Sequence, residues 1–183
     1  MLKIAIVGPE STGKTELTAK LAKHFYAVWE PELAREYIEN LNREYTFEDV
    51  CEIAHRQITI ENEYVQNNNA HKIVFFDTDL IITKVWLQYK YHVTPNFIQK
   101  RLEERHIDFY LLLEPDIDWK PDPVREHGND RDYFFDWYKR EIEMLKTPYA
   151  VINGLDDKRV QNAVKEIDYF LHQKSKLDNK NLS

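Results

Sequence analysis

The octapeptide Gly8-Pro9-Glu10-Ser11-Thr12-Gly13-Lys14-Thr15 follows a largely apolar run, Leu2 to Val7, and leads into a segment where Leu17, Leu21 and Phe25 recur at helical spacing. A strand feeding a glycine-bearing turn that opens a helix is the setting in which the pattern G-x-x-x-x-G-K-[ST] has physical meaning. Two glycines let successive backbone N–H groups point inward at phosphate oxygens, and the helix N-terminus adds its partial positive charge. Lys14 is then placed to bridge β- and γ-phosphates, and Thr15 to ligate magnesium. The loop from Gly8 to Thr15 is therefore a candidate site for ATP with Mg2+.

Further apolar runs read as buried parallel strands at Ile73 to Phe76, Phe109 to Leu113 and Tyr149 to Ile152, with a weaker strand around Ala27 to Trp29. Helical periodicity fills the intervals. It is expected over Lys14 to His24, from a Thr46 cap with Asp49 to the Asn67-Asn68-Asn69 turn, and over Leu80 to Tyr91, Asn96 to Arg105, Asp132 to Lys146 and Asp156 to Leu171. Such alternation predicts an α/β fold of the P-loop NTPase type: a parallel five-stranded sheet, helices on both faces, and ligands at the carboxyl ends of the strands.

The length of 183 residues fits one domain, expected over residues 1–171, with a disordered tail over 172–183. A net charge of −7 argues against a nucleic-acid partner, because tracking a phosphate backbone requires a basic face. Cys51 stands alone, so no internal disulfide forms, and no apolar run reaches bilayer-spanning length. A cytoplasmic setting without a membrane is expected.

Asp77 and Asp79 stand at the end of the Ile73 to Phe76 strand, where a carboxylate would order magnesium, and Asp77 is the candidate for that role. Asp79 also reads as an ordinary cap for the helix from Leu80. Glu32 and Asp77, each just past a strand, are the candidates to take a proton from an acceptor hydroxyl. Asp116 to Arg131 is rich in Pro, Asp and Gly and reads as a lid, with Arg125 and Arg131 available to clamp a transferring phosphoryl group. Trp119 in that segment is a candidate to stack on a flat heterocycle, or else an anchor for the lid. Gly154, after the last strand, would let backbone approach the adenine ring. Trp86, Tyr89, Tyr91, Phe134, Phe135, Trp137 and Tyr138 fall mostly on helices, where core packing is the expected role. His55, His92, His106 and His127 show no metal-ligand spacing.

Four motifs in order carry a resemblance: the Gly8 to Thr15 loop, Glu32-Leu33-Ala34-Arg35-Glu36-Tyr37, Phe76-Asp77-Thr78-Asp79, and Leu112-Leu113-Glu114 leading to Trp119, Asp122, Arg125 and Arg131. Together, from Lys3 to about Leu171, they resemble the ribosylnicotinamide kinase domain of NadR-type NAD-salvage proteins. The resemblance implies ATP-dependent phosphorylation of nicotinamide riboside, with Gly8 to Thr15 for ATP, Asp77 for magnesium and catalysis, and Arg125 and Arg131 in the lid. It further implies that Glu32, Arg35, Tyr37, Asp79, Trp119 and Asp122 face the riboside. Adenylyl transfer and repression, which belong to other domains of multifunctional members, are not expected here. Pro123 stands where a glycine is expected, removing a backbone donor. It keeps open another nucleoside or a nucleoside monophosphate as acceptor, beside a reading as a partner-binding nucleotide switch.

Overall fold

A computed structural model describes residues 1–66, 71–120 and 129–180. In chain order the elements are β1 (Leu2–Val7), α1 (Lys14–His24), β2 (Val28–Glu30), α2 (Leu33–Glu39), α3 (Phe47–Gln66), β3 (Ile73–Asp77), α4 (Leu80–Tyr91), α5 (Asn96–Glu103), β4 (Phe109–Leu113), α6 (Arg131–Leu145), β5 (Tyr149–Ile152) and α7 (Asp156–Lys180).

The five strands form one parallel sheet in the order β2-β3-β1-β4-β5. Every residue of β3 and β4 is buried, because both faces of a parallel sheet are covered by its crossover helices. On one face Ile4, Ile6, Phe75 and Leu111 pack against Leu17 and Leu21 of α1 and Ala163 and Ile167 of α7. On the other, Ala5, Val74, Phe76 and Leu112 meet α3, α4, α5 and α6 through Val50, Ile81, Ile98 and Ile142. Strand order changes direction at β1, so the turn leaving β1 opens into the crevice where such sheets bind ligands.

The expected strands and major helices are present. A reciprocal cap starts α3: Thr46 N–H donates to Asp49 Oδ2 at 2.8 Å and Asp49 N–H to Thr46 Oγ1 at 3.4 Å. Helix α2 is absent from the sequence expectations: it is only seven residues long, too short for a periodic pattern to stand out, and none of its residues is buried. The expectation of disorder from residue 172 is corrected: α7 runs on to Lys180. Lys174 explains part of this, donating to Asp108 Oδ1 at 2.8 Å and thereby fixing a polar stretch that has no core of its own. Among the described residues, no helix is long and apolar enough to cross a membrane.

Candidate active site

The turn after β1 is shaped by close approach. A Cβ on Gly8 would lie 3.0 Å from the Leu113 carbonyl oxygen and 3.1 Å from its Cβ, so only glycine lets the loop pass over the end of β4. Gly13, with φ +76°, turns the chain into α1 from the left-handed region that favours glycine. Thr12 Oγ1 donates to the Pro9 carbonyl at 2.9 Å, closing the curve. Lys14 Nζ lies against the loop, donating to the carbonyls of Gly8 and Pro9 at 3.1 Å each.

Beneath the loop lies a residue that no motif or spacing singles out. Arg159 of α7 is 3% exposed, and its guanidinium donates to the carbonyls of Thr12, Gly154 (2.6 Å) and Glu114 (3.3 Å) and to the carboxylate of Asp116. Asp116 Oδ2 in turn accepts the Gly154 N–H at 2.7 Å. One side chain thus binds the phosphate loop to the ends of β4 and β5. A fixed fork of five donors suits arginine alone to this task.

Thr15 Oγ1 donates to Asp77 Oδ2 at 2.5 Å. Asp77 is 3% exposed, and its Oδ1 has no hydrogen-bond partner among the described residues. Burial pushes its carboxyl up to about 6 against the opposing pull of the Thr15 hydroxyl and Lys14. A hydroxyl beside a carboxylate with a spare buried oxygen is a hard oxygen donor set, which fits Mg2+. Glu32 borders a small cleft shared with Asp77 and also lines the main cavity.

That cavity, about 620 Å3, runs from the phosphate loop past Glu32 and Arg35 to a wall built from α4, α6 and the segment before α3. Trp86, Tyr89, Phe134, Tyr138 and Tyr45 form the wall. Trp86 Nε1 donates to the Tyr45 hydroxyl at 3.1 Å, with the rings edge-on at 4.8 Å. Tyr89 meets Phe134 edge-on at 5.0 Å. A largely buried ion pair, Lys84 Nζ to Glu141 Oε2 at 2.5 Å, clips α4 to α6 behind the wall. Lys90 Nζ stands 3.7 Å from the Tyr45 ring centroid. Phe134 and Tyr138 belong to the core and Trp86, Tyr91, Phe135 and Trp137 pack against it, as expected, while Trp86, Tyr89, Phe134 and Tyr138 also line the cavity.

Of the other candidates, Tyr37 turns toward α3, its hydroxyl donating to Asp49 Oδ1 at 3.0 Å, and does not line the cavity. Trp119 is 37% exposed and also lies outside the lining. Its neighbour Lys120 donates its N–H to Ser11 Oγ at 3.1 Å, so the segment leaving β4 crosses the phosphate loop. Arg131 opens α6 and donates to the Ile117 carbonyl at 2.6 Å. Gly154 sits at the end of β5 in the Arg159 network. Asp122, Pro123, Arg125 and His127 lie outside the described residues.

The expectation that Asp79 faces a riboside is corrected. Asp79 is fully buried beneath β3, its Oδ1 3.0 Å from His106 Nε2 and its Oδ2 accepting the Tyr110 hydroxyl at 2.6 Å. His106 Nε2 also lies 3.3 Å from Glu61 Oε2, which accepts from Arg101 Nη2 at 3.2 Å. Burial pushes the Asp79 carboxyl up, but the adjacent imidazolium outweighs it and holds the group below the ordinary carboxylate range. For His106, burial is likewise outweighed by Asp79 and Glu61, which hold its pKa up at about 10. The partners come from α3, α5, the α5–β4 connection and β4, too far along the chain for sequence spacing to reveal.

Known proteins bear out this architecture. The Salmonella typhimurium "Trifunctional NAD biosynthesis/regulator protein NadR" is 31% identical over 153 residues, covering 78% of this chain and 35% of that protein. A crystal structure of NadR protein in complex with NR superposes with a TM-score of 0.72 at 24% identity, over 91% of this chain and 50% of that one. A second NadR structure, in complex with NAD and AMP-PNP, gives a TM-score of 0.68 at 25% identity over 90% of this chain and 48% of that one. The chain thus spans half or less of the length of these relatives. The sequence profile of a family described as "AAA domain" matches residues 3–159, from β1 through the phosphate loop to Arg159. On that match, spanning the whole sheet and the Gly8 to Thr15 loop, the chain belongs to the AAA domain family of P-loop proteins.

Proposed function

We propose that this protein is an ATP- and Mg2+-dependent kinase that phosphorylates the 5′-hydroxyl of nicotinamide riboside, giving nicotinamide mononucleotide for NAD salvage. The observation that carries the reading is the continuity of one cavity, with a phosphate loop at one end and an aromatic wall at the other. A nucleotide at the loop and a nucleoside against the wall would meet γ-phosphate to hydroxyl.

The residues divide the work by chemistry. Lys14 neutralises charge on the β- and γ-phosphates, and Gly8 to Thr15 hold the chain of phosphates by backbone amides. Mg2+, when bound, neutralises phosphate charge, and Thr15 and Asp77 are the residues that would hold it. Glu32, facing the cavity, orients the 5′-hydroxyl and accepts its proton as the oxygen attacks the γ-phosphorus and the bond to the β-phosphate oxygen breaks. Arg35 supports that end of the cavity, and Arg131, with Arg125 beyond the described residues, carries over as a cation for the transferring group.

The wall suits the acceptor's base. Nicotinamide riboside carries a positive pyridinium ring, and the electron-rich faces of Tyr45, Trp86 and Tyr89 attract cations. The Tyr45 face already takes the Lys90 ammonium. Relatives named for NAD biosynthesis and a NadR structure in complex with NR support the same acceptor.

The test is incubation of pure protein with ATP, Mg2+ and a panel of nicotinamide riboside, other nucleosides and nucleoside monophosphates, beside a Lys14→Ala control. Phosphorylated nicotinamide riboside is the expected product. Turnover with a different acceptor alone, or none above the control, ends the proposal.

A further inference from the structure

The peptide unit between the two aspartates at the end of β3 is under strain. Thr78 has φ +89°, a left-handed conformation that a β-branched side chain adopts only when its surroundings force it. Three contacts hold it. Its N–H donates to the Ile6 carbonyl of β1 at 3.0 Å, its carbonyl accepts from Gln57 Nε2 of α3 at 3.4 Å, and the next residue is Asp79, pinned by His106 and Tyr110.

Tyr110 reaches Asp79 across the sheet. Ala5 on the central strand is in register with Phe76 on one side and Tyr110 on the other, and its small side chain leaves the path clear for the phenol. The cluster around Asp79 is closed and charge-balanced: two carboxylates, Asp79 and Glu61, face one imidazolium and one guanidinium, His106 and Arg101. Ligand atoms of Glu61, Asp79 and His106 lie within 4.8 Å of one another, yet those two cations already answer both carboxylates, so the group reads as an anchor rather than a cation site. Buried ion pairs add little stability over apolar packing, and Glu61 Oε1 and Thr78 Oγ1 lack hydrogen-bond partners among the described residues. An arrangement this poorly satisfied is explained by what it positions.

We propose that the buried Asp79, His106 and Tyr110 are positioning residues for Asp77: they lock the strained Thr78 turn and thereby fix the direction in which Asp77 presents its carboxylate beside Thr15. Asp77 is one residue before the strain and Asp79 one after, so any slack at Asp79 rotates the Asp77 end of the same short segment. A carboxylate aimed in advance binds a cation without reorganising the turn. The inference rests on the reading of Asp77 as the magnesium carboxylate, and not on the identity of the acceptor.

The experiment is the Mg2+ dependence of AMP-PNP binding by calorimetry, without acceptor, for wild type, Tyr110→Phe and Thr78→Gly, with melting temperatures measured alongside. Tyr110→Phe removes one hydroxyl and keeps the ring. Thr78→Gly relieves the strain and frees the turn. Both are expected to raise the Mg2+ concentration for half-maximal binding about three- to tenfold, leaving magnesium-free nucleotide binding as in wild type, and Thr78→Gly is expected to do so without lowering the melting temperature. Asp79→Asn is expected to shift Mg2+ dependence further. Wild-type Mg2+ dependence in Tyr110→Phe and Thr78→Gly, whatever their stability, overturns the proposal, as does wild-type nucleotide binding indifferent to Mg2+. A shift in the variants from a wild type that phosphorylates no nicotinamide riboside removes the acceptor assignment and leaves the anchor standing.

Discussion

The hydroxyl of Thr15 and the carboxylate of Asp77, 62 positions apart, meet at 2.5 Å where the first turn of α1 faces the end of β3. The pair sets function against stability. In the fold, the pKa of Asp77 stands at about 6, above its ordinary 3.8, so the folded chain holds that proton more tightly than the unfolded one. Ionising it therefore destabilises the fold as pH rises from about 4 to 6, and the full penalty remains at neutral pH. Asp77→Asn should raise stability by up to about 2 kcal/mol, seen in denaturant melts at pH 7.5, while reducing phosphoryl transfer at least about a hundredfold. A variant that is both less stable and fully active contradicts the assignment.

The same carboxyl predicts how magnesium use depends on pH. Protons compete with the cation for Asp77, so the Mg2+ requirement of nucleotide binding should rise as pH falls below about 6, by up to about tenfold per unit. Calorimetric titrations from pH 5 to 8 read this directly. A flat requirement across that range would place the cation elsewhere.

Removal of Arg159 should loosen three loop ends at once. Arg159→Leu takes the guanidinium from Asp116 Oδ1 and from the Thr12 carbonyl, leaving Asp116 only the Gly154 N–H, and is expected to cost about 3 kcal/mol. The KM for ATP should rise more than the KM for acceptor, because the loop the arginine supports is the phosphate loop. Arg159→Lys keeps the charge but not the fork, and should recover only part of the loss. Thermal melts and two-substrate kinetics separate these effects.

At the other end of the cavity, Trp86→Leu keeps apolar bulk and removes the ring that bonds Tyr45. Loss of an aromatic face against a cationic base should raise the acceptor KM roughly tenfold, equivalent to about 1.4 kcal/mol. Nucleotide affinity should hold. Equal effects on both substrates would make Trp86 a packing residue only.

His106 gives a prediction at alkaline pH. Its pKa is held at about 10, above the ordinary 6.5, so its contribution to stability is complete below about pH 6.5, declines as pH rises and is gone above about 10. Wild type should lose stability between pH 6.5 and 9 more steeply than His106→Gln. Parallel slopes would show that His106 does not carry the charge.

Much of the architecture was legible because the central strands are apolar on both faces. Ile73 to Phe76 and Phe109 to Leu113 stand out as short apolar runs for that reason, and the loop after β1 announces itself by its glycines, lysine and threonine. β2 is an edge strand of three half-buried residues, and its position at Val28–Glu30 rather than from Ala27 is the shift a weak pattern permits. The site was harder to read. Asp79 looks like its neighbour Asp77 until the fold supplies His106 and Tyr110, and Arg159 looks like any helical surface residue until the ends of β4 and β5 close over it. Trp86, Tyr89, Phe134 and Tyr138 satisfy the spacing of a buried helix face, and a cavity wall built from helices has the same spacing.

The strand order has a consequence for synthesis of the chain. β1 precedes both its partners in the chain, which begin at Ile73 and Phe109, so the ribosome must add over a hundred residues after β1 before both edges of that apolar strand are paired. Until then Ile4, Ile6 and Val7 are a nascent segment prone to the wrong company, and contacts this distant in sequence form slowly. The close approach that shapes the phosphate loop is reached only when Leu113 arrives beneath Gly8.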